Sequence, residues 1–190
     1  MTFDELSLAV HEELNARIVA VTLDDTAYRV RFNCDDWQGR DMRRRFELIC
    51  DDVQESTATP SDLYSLRAAS DHPLLWNYND DHLTMYFSSA PPDPMALVGQ
   101  LYEAHSRLLN GWRQLSDYLY ADSALMQQGY GQFAKGPRRV IEEYARVVGD
   151  QCRFSMIQGH TPRGGCRIVL FGDLFVVCRG VSVVEHNSDS

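Results

Sequence analysis

The sequence lacks the signals that place a chain in a membrane or send it through one. No apolar run approaches the ~20 residues that a membrane-spanning helix needs. The first residues contain no basic segment followed by an apolar stretch, so we expect no secretion signal. No internal repeat or low-complexity segment is present. These absences predict a cytoplasmic globular protein without a membrane contact.

The sequence also lacks the motifs of common catalytic and cofactor sites. It contains no GxSxG, no HExxH, no GxxxxGK[ST] and no DxDxDG spacing. We therefore predict no catalytic residue, no cofactor and no metal site. Whether the chain is an enzyme stays open at this point, and a non-enzymatic protein is favoured.

Cysteine is present, but not in the patterns of a disulfide framework or a zinc knuckle. The chain has 5 cysteines, an odd number at wide spacings with no CxxC. Cys34, Cys50 and Cys178 fall on apolar positions of strand-like runs. This placement predicts reduced thiols in the core of a protein that works in a reducing compartment.

Basic residues are outnumbered by acidic ones. The 18 Lys and Arg residues against 27 Asp and Glu residues give a formal net charge of -9, with a pI near 5.0. This balance disfavours a general nucleic-acid binder, because such a protein needs a basic surface to displace counterions. It suits a protein that binds a basic partner.

Apolar periodicity predicts an α+β fold. An amphipathic helix is predicted over 91–120, with Asp93 as its N-cap and Pro94 at its first position. Strands with alternating apolar and polar residues precede it over 17–53, and a hairpin follows it over 167–179. The predicted architecture has an antiparallel sheet, or sheets, from the N-terminal meander and the C-terminal hairpin strands. These pack on the one long central helix and on shorter helices.

The chain length is that of one domain. We predict a single α+β domain over 1–186 and a frayed tail over 187–190. The order of elements, a first helix, a meander and a long helix, resembles that of small secretion-chaperone and toxin-immunity folds. The resemblance lies in element order alone and includes no shared motif. It implies a protein that covers a partner protein.

Four aspartate pairs fall at predicted strand ends. In a three-stranded meander, the first and third pairs lie at the same end of the sheet and concentrate negative potential there. The leading hypothesis is a non-enzymatic binding protein that covers a basic partner such as a toxin or effector, in the manner of an immunity protein, chaperone or adaptor. Ordinary turn chemistry is the simpler interpretation of these aspartates. The predicted partner-binding residues are Asp24, Asp25, Asp35, Asp36, Trp37, Asp51 and Asp52.

The alternative function rests on a glycine-rich basic loop predicted over 129–139, which reads GYGQFAKGPRR. Free backbone N–H groups at the start of the following helix favour anions. The alternative is therefore an enzyme or sensor that binds a small anionic ligand, such as a nucleotide or a phosphorylated metabolite. Helix-start and turn chemistry explains the same residues without a ligand. The predicted anion-binding residues are Lys135, Arg138, Arg139 and Arg163.

One histidine lies on the apolar stripe of the predicted central helix. His105 is predicted to be a core residue satisfied by hydrogen bonds, and a buried ligand or base is the competing hypothesis. A monomer and a homodimer are both compatible with the sequence.

Overall fold

The computed structural model describes residues 2–12, 16–24, 27–35 and 43–186. The chain divides into two compact units. Unit 1 contains residues 1–72 and 165–190, and unit 2 contains residues 73–164. The predicted tail over 187–190 lies outside the described residues, and the single domain over 1–186 stays a prediction.

The described chain combines antiparallel sheets with helices, so the α+β prediction is confirmed. In chain order the elements are α1 (Phe3–Glu12), β1 (Arg17–Leu23), β2 (Tyr28–Asp35), β3 (Arg43–Asp51), β4 (Glu55–Ser56), β5 (Ser61–Asp62), β6 (Leu66–Ala69), α2 (Trp76–Asn79), β7 (His82–Phe87), α3 (Pro94–Leu109), α4 (Ser123–Gln128), β8 (Gly131–Pro137), α5 (Arg138–Val148), β9 (Phe154–Gln158), β10 (Arg167–Phe171), β11 (Leu174–Cys178) and β12 (Gly180–His186).

Unit 1 is built from two antiparallel sheets. Their strand orders are β12-β3-β2-β1-β5 and β4-β11-β10-β6. The alternation predicted for β2 and β3 is confirmed, because the register pairs Val30 with Leu48 and Phe32 with Phe46, and all of these side chains are buried. The rings of Phe32 and Phe46 lie 5.5 Å apart between centroids. Alternation along each strand therefore sets which face enters the core.

The five cysteines are buried, and none forms a disulfide in the described part of the chain. Cys34, Cys50 and Cys178 lie in the core of unit 1, as predicted. Hydrogen bonding to Cys178 and burial raise the pKa of the Cys50 thiol, so Cys50 remains protonated at neutral pH.

Unit 2 contains a three-stranded sheet of order β8-β7-β9. Leu83, Met85 and Phe87 alternate along β7 and are buried with residues of α3 and α5. Met85 and Tyr144 are fully buried in this cluster. The two long helices of the unit therefore share their apolar faces with one face of the sheet.

The start of the central helix agrees with the prediction. The Asp93 carboxylate accepts hydrogen bonds from the backbone N–H groups of Met95 at 3.1 Å and Ala96 at 3.0 Å. Pro94 occupies the first turn, where its missing N–H leaves no bond unmade. Among the described residues no helix is long and apolar enough to cross a membrane.

The end of this helix differs from the prediction. The helix stops at Leu109, because Asn110 and Gly111 adopt the left-handed conformation with φ of 48° and 80°. Such a pair closes a helix by satisfying its last carbonyl groups. Apolar residues recur at helical spacing beyond it, and this continuation made the predicted range over 91–120 too long. Leu115 and Leu119 consequently lie on a separate segment.

The prediction of a glycine-rich loop over 129–139 was wrong, because most of this segment forms strand β8. Pairing with β7 places Gly136 opposite Leu83. A Cβ added at Gly136 would lie 2.5 Å from Cδ1 of the Tyr118 ring. This glycine therefore permits close packing within a strand, a role that glycine can play in sheets.

Candidate functional site

A groove in unit 2 runs between α3 and the segment that follows it, residues 110–123. Its cavity volume is about 810 Å³. Sites for small organic molecules commonly have volumes of about 300–1,000 Å³ and mostly apolar linings. The lining residues are Met95, Val98, Tyr102, His105, Ser106, Gly111, Arg113, Gln114, Leu115, Ser116, Leu119, Tyr120, Ala121, Asp122 and Ser123.

The second wall of the groove is held in place by backbone hydrogen bonds. After the left-handed pair at 110–111, a 3-10 turn over Leu115–Asp117 is closed by the N–H of Gln114, which donates to the Asp117 carboxylate at 2.9 Å. The chain then lies along β8, where the N–H of Tyr120 donates to the carbonyl of Phe133 at 2.9 Å. Leu115 thereby becomes part of a wall facing α3.

His105 contributes to the groove lining and is only 3% exposed. Its Nε2 lies 2.8 Å from the carbonyl oxygen of Arg113, and its Nδ1 lies 2.7 Å from the Tyr144 hydroxyl. A carbonyl can only accept, so Nε2 carries the proton and donates to it. In the tautomer that carries its one proton on Nε2, Nδ1 accepts from the Tyr144 hydroxyl.

The Tyr144 side of this contact agrees with that assignment. Burial raises the pKa of the Tyr144 hydroxyl, so the group stays protonated and can donate. Both nitrogens of His105 are therefore bonded within the protein. The prediction of a core histidine satisfied by hydrogen bonds is confirmed, and the network links α3, α5 and the segment after α3.

The rim of the groove exposes apolar and aromatic side chains. Met95, Tyr102 and Tyr120 are 68%, 61% and 54% exposed. The lining also contains polar side chains, among them Arg113, Asp122 and Ser123. The groove thus combines apolar walls with polar groups that can bond a substituent of a mainly apolar molecule.

The aspartates predicted to bind a partner lie in unit 1. The register pairs Leu23 with Tyr28 and Tyr28 with Cys50, so the chain after β1 and the end of β3 lie at the same end of the five-stranded sheet. Asp24 and Asp51 are exposed there. We call this surface, formed by Asp24, Asp51 and Asp52, the aspartate end.

Two carboxylates of the aspartate end already contact arginines. Asp24 accepts from the N–H of Ala27 and from Nε of Arg29, both at 2.8 Å. Asp52, with φ of 51°, forms an ion pair with Arg179. These contacts lower the net negative charge that this surface presents to a partner.

The other predicted partner-binding residues cannot be placed on this surface. Asp25, Asp36 and Trp37 lie outside the described residues. Asp35 is described only through its backbone, which ends β2 opposite Arg43, at the far end of the sheet from Asp24.

Two of the predicted anion-binding residues, Arg138 and Arg139, contact carboxylates of unit 2. Arg139 Nε lies 2.9 Å from the Asp80 carboxylate, and its guanidinium lies 5.3 Å from the centroid of the Trp76 ring. Arg138 lies near Asp81 at 3.9 Å and near Glu142 at 3.3 Å. An anion at this place would compete with three carboxylates, so the site stays a prediction.

The two remaining basic residues of that prediction are exposed. Lys135 lies on β8 and lines a smaller pocket of about 330 Å³ with Asn77 and Tyr118. Arg163 lies in the segment between β9 and β10. In the described part of the chain, no three His, Cys, Asp or Glu side chains are arranged to hold a metal ion.

The groove was missed by sequence reasoning, although one signal was present. Asn110 followed by Gly111 is a pair that commonly ends a helix in the left-handed conformation. That signal predicts a reversal of the chain after α3, and with it a second wall. It does not predict that the wall would be fixed along β8, because that contact joins residues far apart in sequence.

Comparison with known proteins gives no relative from which a function could be transferred. No protein-family model matches the chain, and neither curated proteins nor solved structures give a significant match. The functional proposal therefore rests on the geometry of the residues.

Proposed function

We propose that the protein is a binding protein whose ligand, a small and mainly apolar organic molecule, occupies the groove between α3 and residues 110–123. The observation that carries the proposal is a cavity of about 810 Å³ with apolar walls and a rim of exposed Met95, Tyr102 and Tyr120. A polar substituent of the ligand would bond one of the polar side chains of the lining, such as Arg113 or Asp122. The volume and lining fit a small molecule.

The groove is suited to binding because its walls are fixed before a ligand arrives. The His105 network joins α3 to the segment after it, and β8 holds that segment from the other side. A preformed site loses little conformational entropy on binding. Transfer of the ligand and of the exposed rim out of water contributes about 25 cal/mol per Å² of apolar surface buried.

The proposal is tested with a neutral, environment-sensitive dye such as Nile red. Val98→Trp should fill the groove and abolish the fluorescence increase. Glu103→Trp adds the same side chain to an exposed position of α3 outside the groove lining and serves as the matched control. Thermal unfolding of both variants, with and without dye, checks folding and binding together. Equal dye binding by wild type and Val98→Trp would show that the dye does not occupy the groove.

A second candidate function is binding of a basic protein partner, such as a toxin or effector, through the aspartate end. The observation that favours it is the register, which brings the exposed Asp24 and Asp51 to one end of the sheet. Complementary charge would accelerate the encounter and set its specificity. A cytoplasmic location, which such an immunity-like or chaperone-like role requires, remains a prediction.

This candidate is tested on a partner that co-purifies from the native host. Asp24→Asn with Asp51→Asn should lower the association rate at low salt and have little effect at high salt. Asp173→Asn, an exposed turn aspartate between β10 and β11, is the control. An association rate that is unchanged at low salt would rule out the aspartate end as the contact surface.

A further inference from the structure

The outer edge of β9 is a surface of unit 2 that the groove does not use. The order β8-β7-β9 gives β9 a neighbour on one side, and no strand of the described chain lies on its other side. An unpaired edge presents a row of backbone N–H and C=O groups. These groups can pair with another extended chain.

Two hydrogen bonds at the ends of the β7–β9 ladder show which residues face outward. The N–H of Ser88 donates to the carbonyl of Arg153, and the N–H of Gly159 donates to the carbonyl of His82, both at 2.8 Å. Backbone groups alternate sides along a strand, so the odd-numbered residues of β9 turn theirs toward β7. The outward-facing backbone groups belong to Phe154, Met156 and Gln158.

The opposite edge of the same sheet is already paired. The N–H of Lys135 donates to the carbonyl of Tyr118 at 2.9 Å, and the N–H of Tyr120 donates to the carbonyl of Phe133 at the same distance. The segment after α3 therefore covers the outer edge of β8, whereas no described strand covers that of β9.

β9 also lacks the devices that usually prevent edge pairing. Its sequence, Phe-Ser-Met-Ile-Gln, contains no proline and no charged residue, and its register with β7 is regular. Met156 and Ile157 are 44% and 56% exposed. The edge thus presents apolar side chains together with free backbone groups.

We propose that β9 pairs antiparallel with β9 of a second copy of this chain, about a two-fold axis that passes beside Met156. The strand is its own complement in this arrangement, because Met156 lies opposite Met156 of the second copy and Phe154 lies opposite Gln158. The outward N–H and C=O groups of all three residues are then bonded. No charged residue of either strand faces another charge, and the two sheets become one.

The driving force has two parts. Water bonds the edge groups in the monomer, so each new hydrogen bond adds only a modest net contribution. Burial of Met156 against its copy, and of Ile157 beside Ser155 of the second copy, adds apolar transfer energy. An extended peptide from a different protein could use the same backbone groups, but the self-complementary, uncharged strand favours a second copy.

The first test compares two substitutions at one position. Met156→Pro and Met156→Val both remove the long side chain, but only proline removes the outward N–H, and neither touches a hydrogen bond to β7. Sedimentation equilibrium of the full chain should give a wild-type mass that is twice 21.7 kDa. We expect Met156→Pro to weaken dimerisation roughly 100-fold and Met156→Val much less, because hydrogen bonds are lost on both copies. A monomeric wild type, or equal dimerisation by the two variants, would overturn the proposal.

Hydrogen exchange of the unmodified protein gives a second test that does not depend on a variant folding. In the dimer the amides of Phe154, Met156 and Gln158 should be protected and should lose protection on dilution. The amides of Ser155 and Ile157, bonded to β7, should stay protected at every concentration. Fast exchange at Met156 in a dimeric sample would show that the copies associate elsewhere and would also contradict the proposal.

Discussion

Two almost buried titratable side chains, His105 in unit 2 and Glu47 in unit 1, are satisfied in opposite ways. His105 bonds a carbonyl and a neutral hydroxyl. The Glu47 carboxylate lies on the outer face of the five-stranded sheet. Side-chain nitrogens that lie near it belong to Arg29 at 3.0 Å, Arg31 at 3.6 Å and His186 at 3.9 Å. The first network has uncharged partners and lies beside an apolar groove. The second is ionic and keeps its surroundings charged.

The difference indicates what each surface can bind. Because the partners of His105 are uncharged, apolar side chains can lie next to its network without a large desolvation penalty. A carboxylate held by one half-buried and one exposed arginine depends on the water around them, and its contribution to stability falls with added salt. This contrast is the reason that we propose the groove, and not the Glu47 cluster, as the ligand site. Three predictions test this contrast.

The largest effect is expected from His105→Leu. The substitution removes the hydrogen bonds that His105 makes with the Tyr144 hydroxyl and the Arg113 carbonyl, and the loss of a buried hydrogen bond costs about 1–3 kcal/mol. We expect the free energy of unfolding to fall by about 3 kcal/mol, measured by urea denaturation followed through tryptophan fluorescence. A loss below about 0.5 kcal/mol, the usual range for surface substitutions, would show that the network does not hold the groove wall.

The next effect concerns alkaline pH and Tyr144. The folded pKa of Tyr144 is raised by burial above its unfolded value of about 10, so its contribution to stability is complete below that pH. As the pH rises above about 10, the unfolded state loses its proton first, and stability falls by up to about 1.4 kcal/mol per pH unit.

Tyr144→Phe is the matched comparison for this pH effect. The variant should be less stable than wild type at pH 7, and the difference should shrink above pH about 10. Urea denaturation at a series of pH values measures this difference in stability. A constant difference across the series would mean that Tyr144 is not protonated preferentially in the folded state.

The smallest effect is expected at Glu47. Glu47→Gln removes a charge that Arg29 and Arg31 share and that His186 approaches, whereas Glu185→Gln removes one partner of an ion pair with Arg44 at 3.0 Å. We expect the free energy of unfolding to fall by about 1 kcal/mol in Glu47→Gln and by about 0.5 kcal/mol or less in Glu185→Gln. Added salt should make both losses smaller. Equal effects of the two substitutions, or independence from salt, would argue against a shared ionic network.

Local patterns predicted the parts of the fold that local chemistry determines. Alternation in β2 and β3, the Asp93 cap and the hairpin across Gly172, whose φ is 65°, are each encoded within a few residues. The hairpin predicted over 167–179 forms as β10 and β11.

Other features depend on contacts between distant residues, and sequence patterns missed them. The run Leu74–Tyr78 forms a 3-10 turn and α2, although a short apolar run of this kind fits a strand equally well. β8 is a strand because β7 lies beside it, and the groove exists because residues 118–121 pair with β8.

The most direct test of the ligand-binding proposal is an NMR titration of the methyl groups with Nile red. We predict that Val98, Leu115 and Leu119, which line the groove, shift progressively and saturate with the dye. The methyl groups of Val30 and Leu48, in the core of unit 1, should stay unchanged. Shifts confined to unit 1, or none at the three groove residues while the dye binds, would contradict the assignment of the groove as the ligand site.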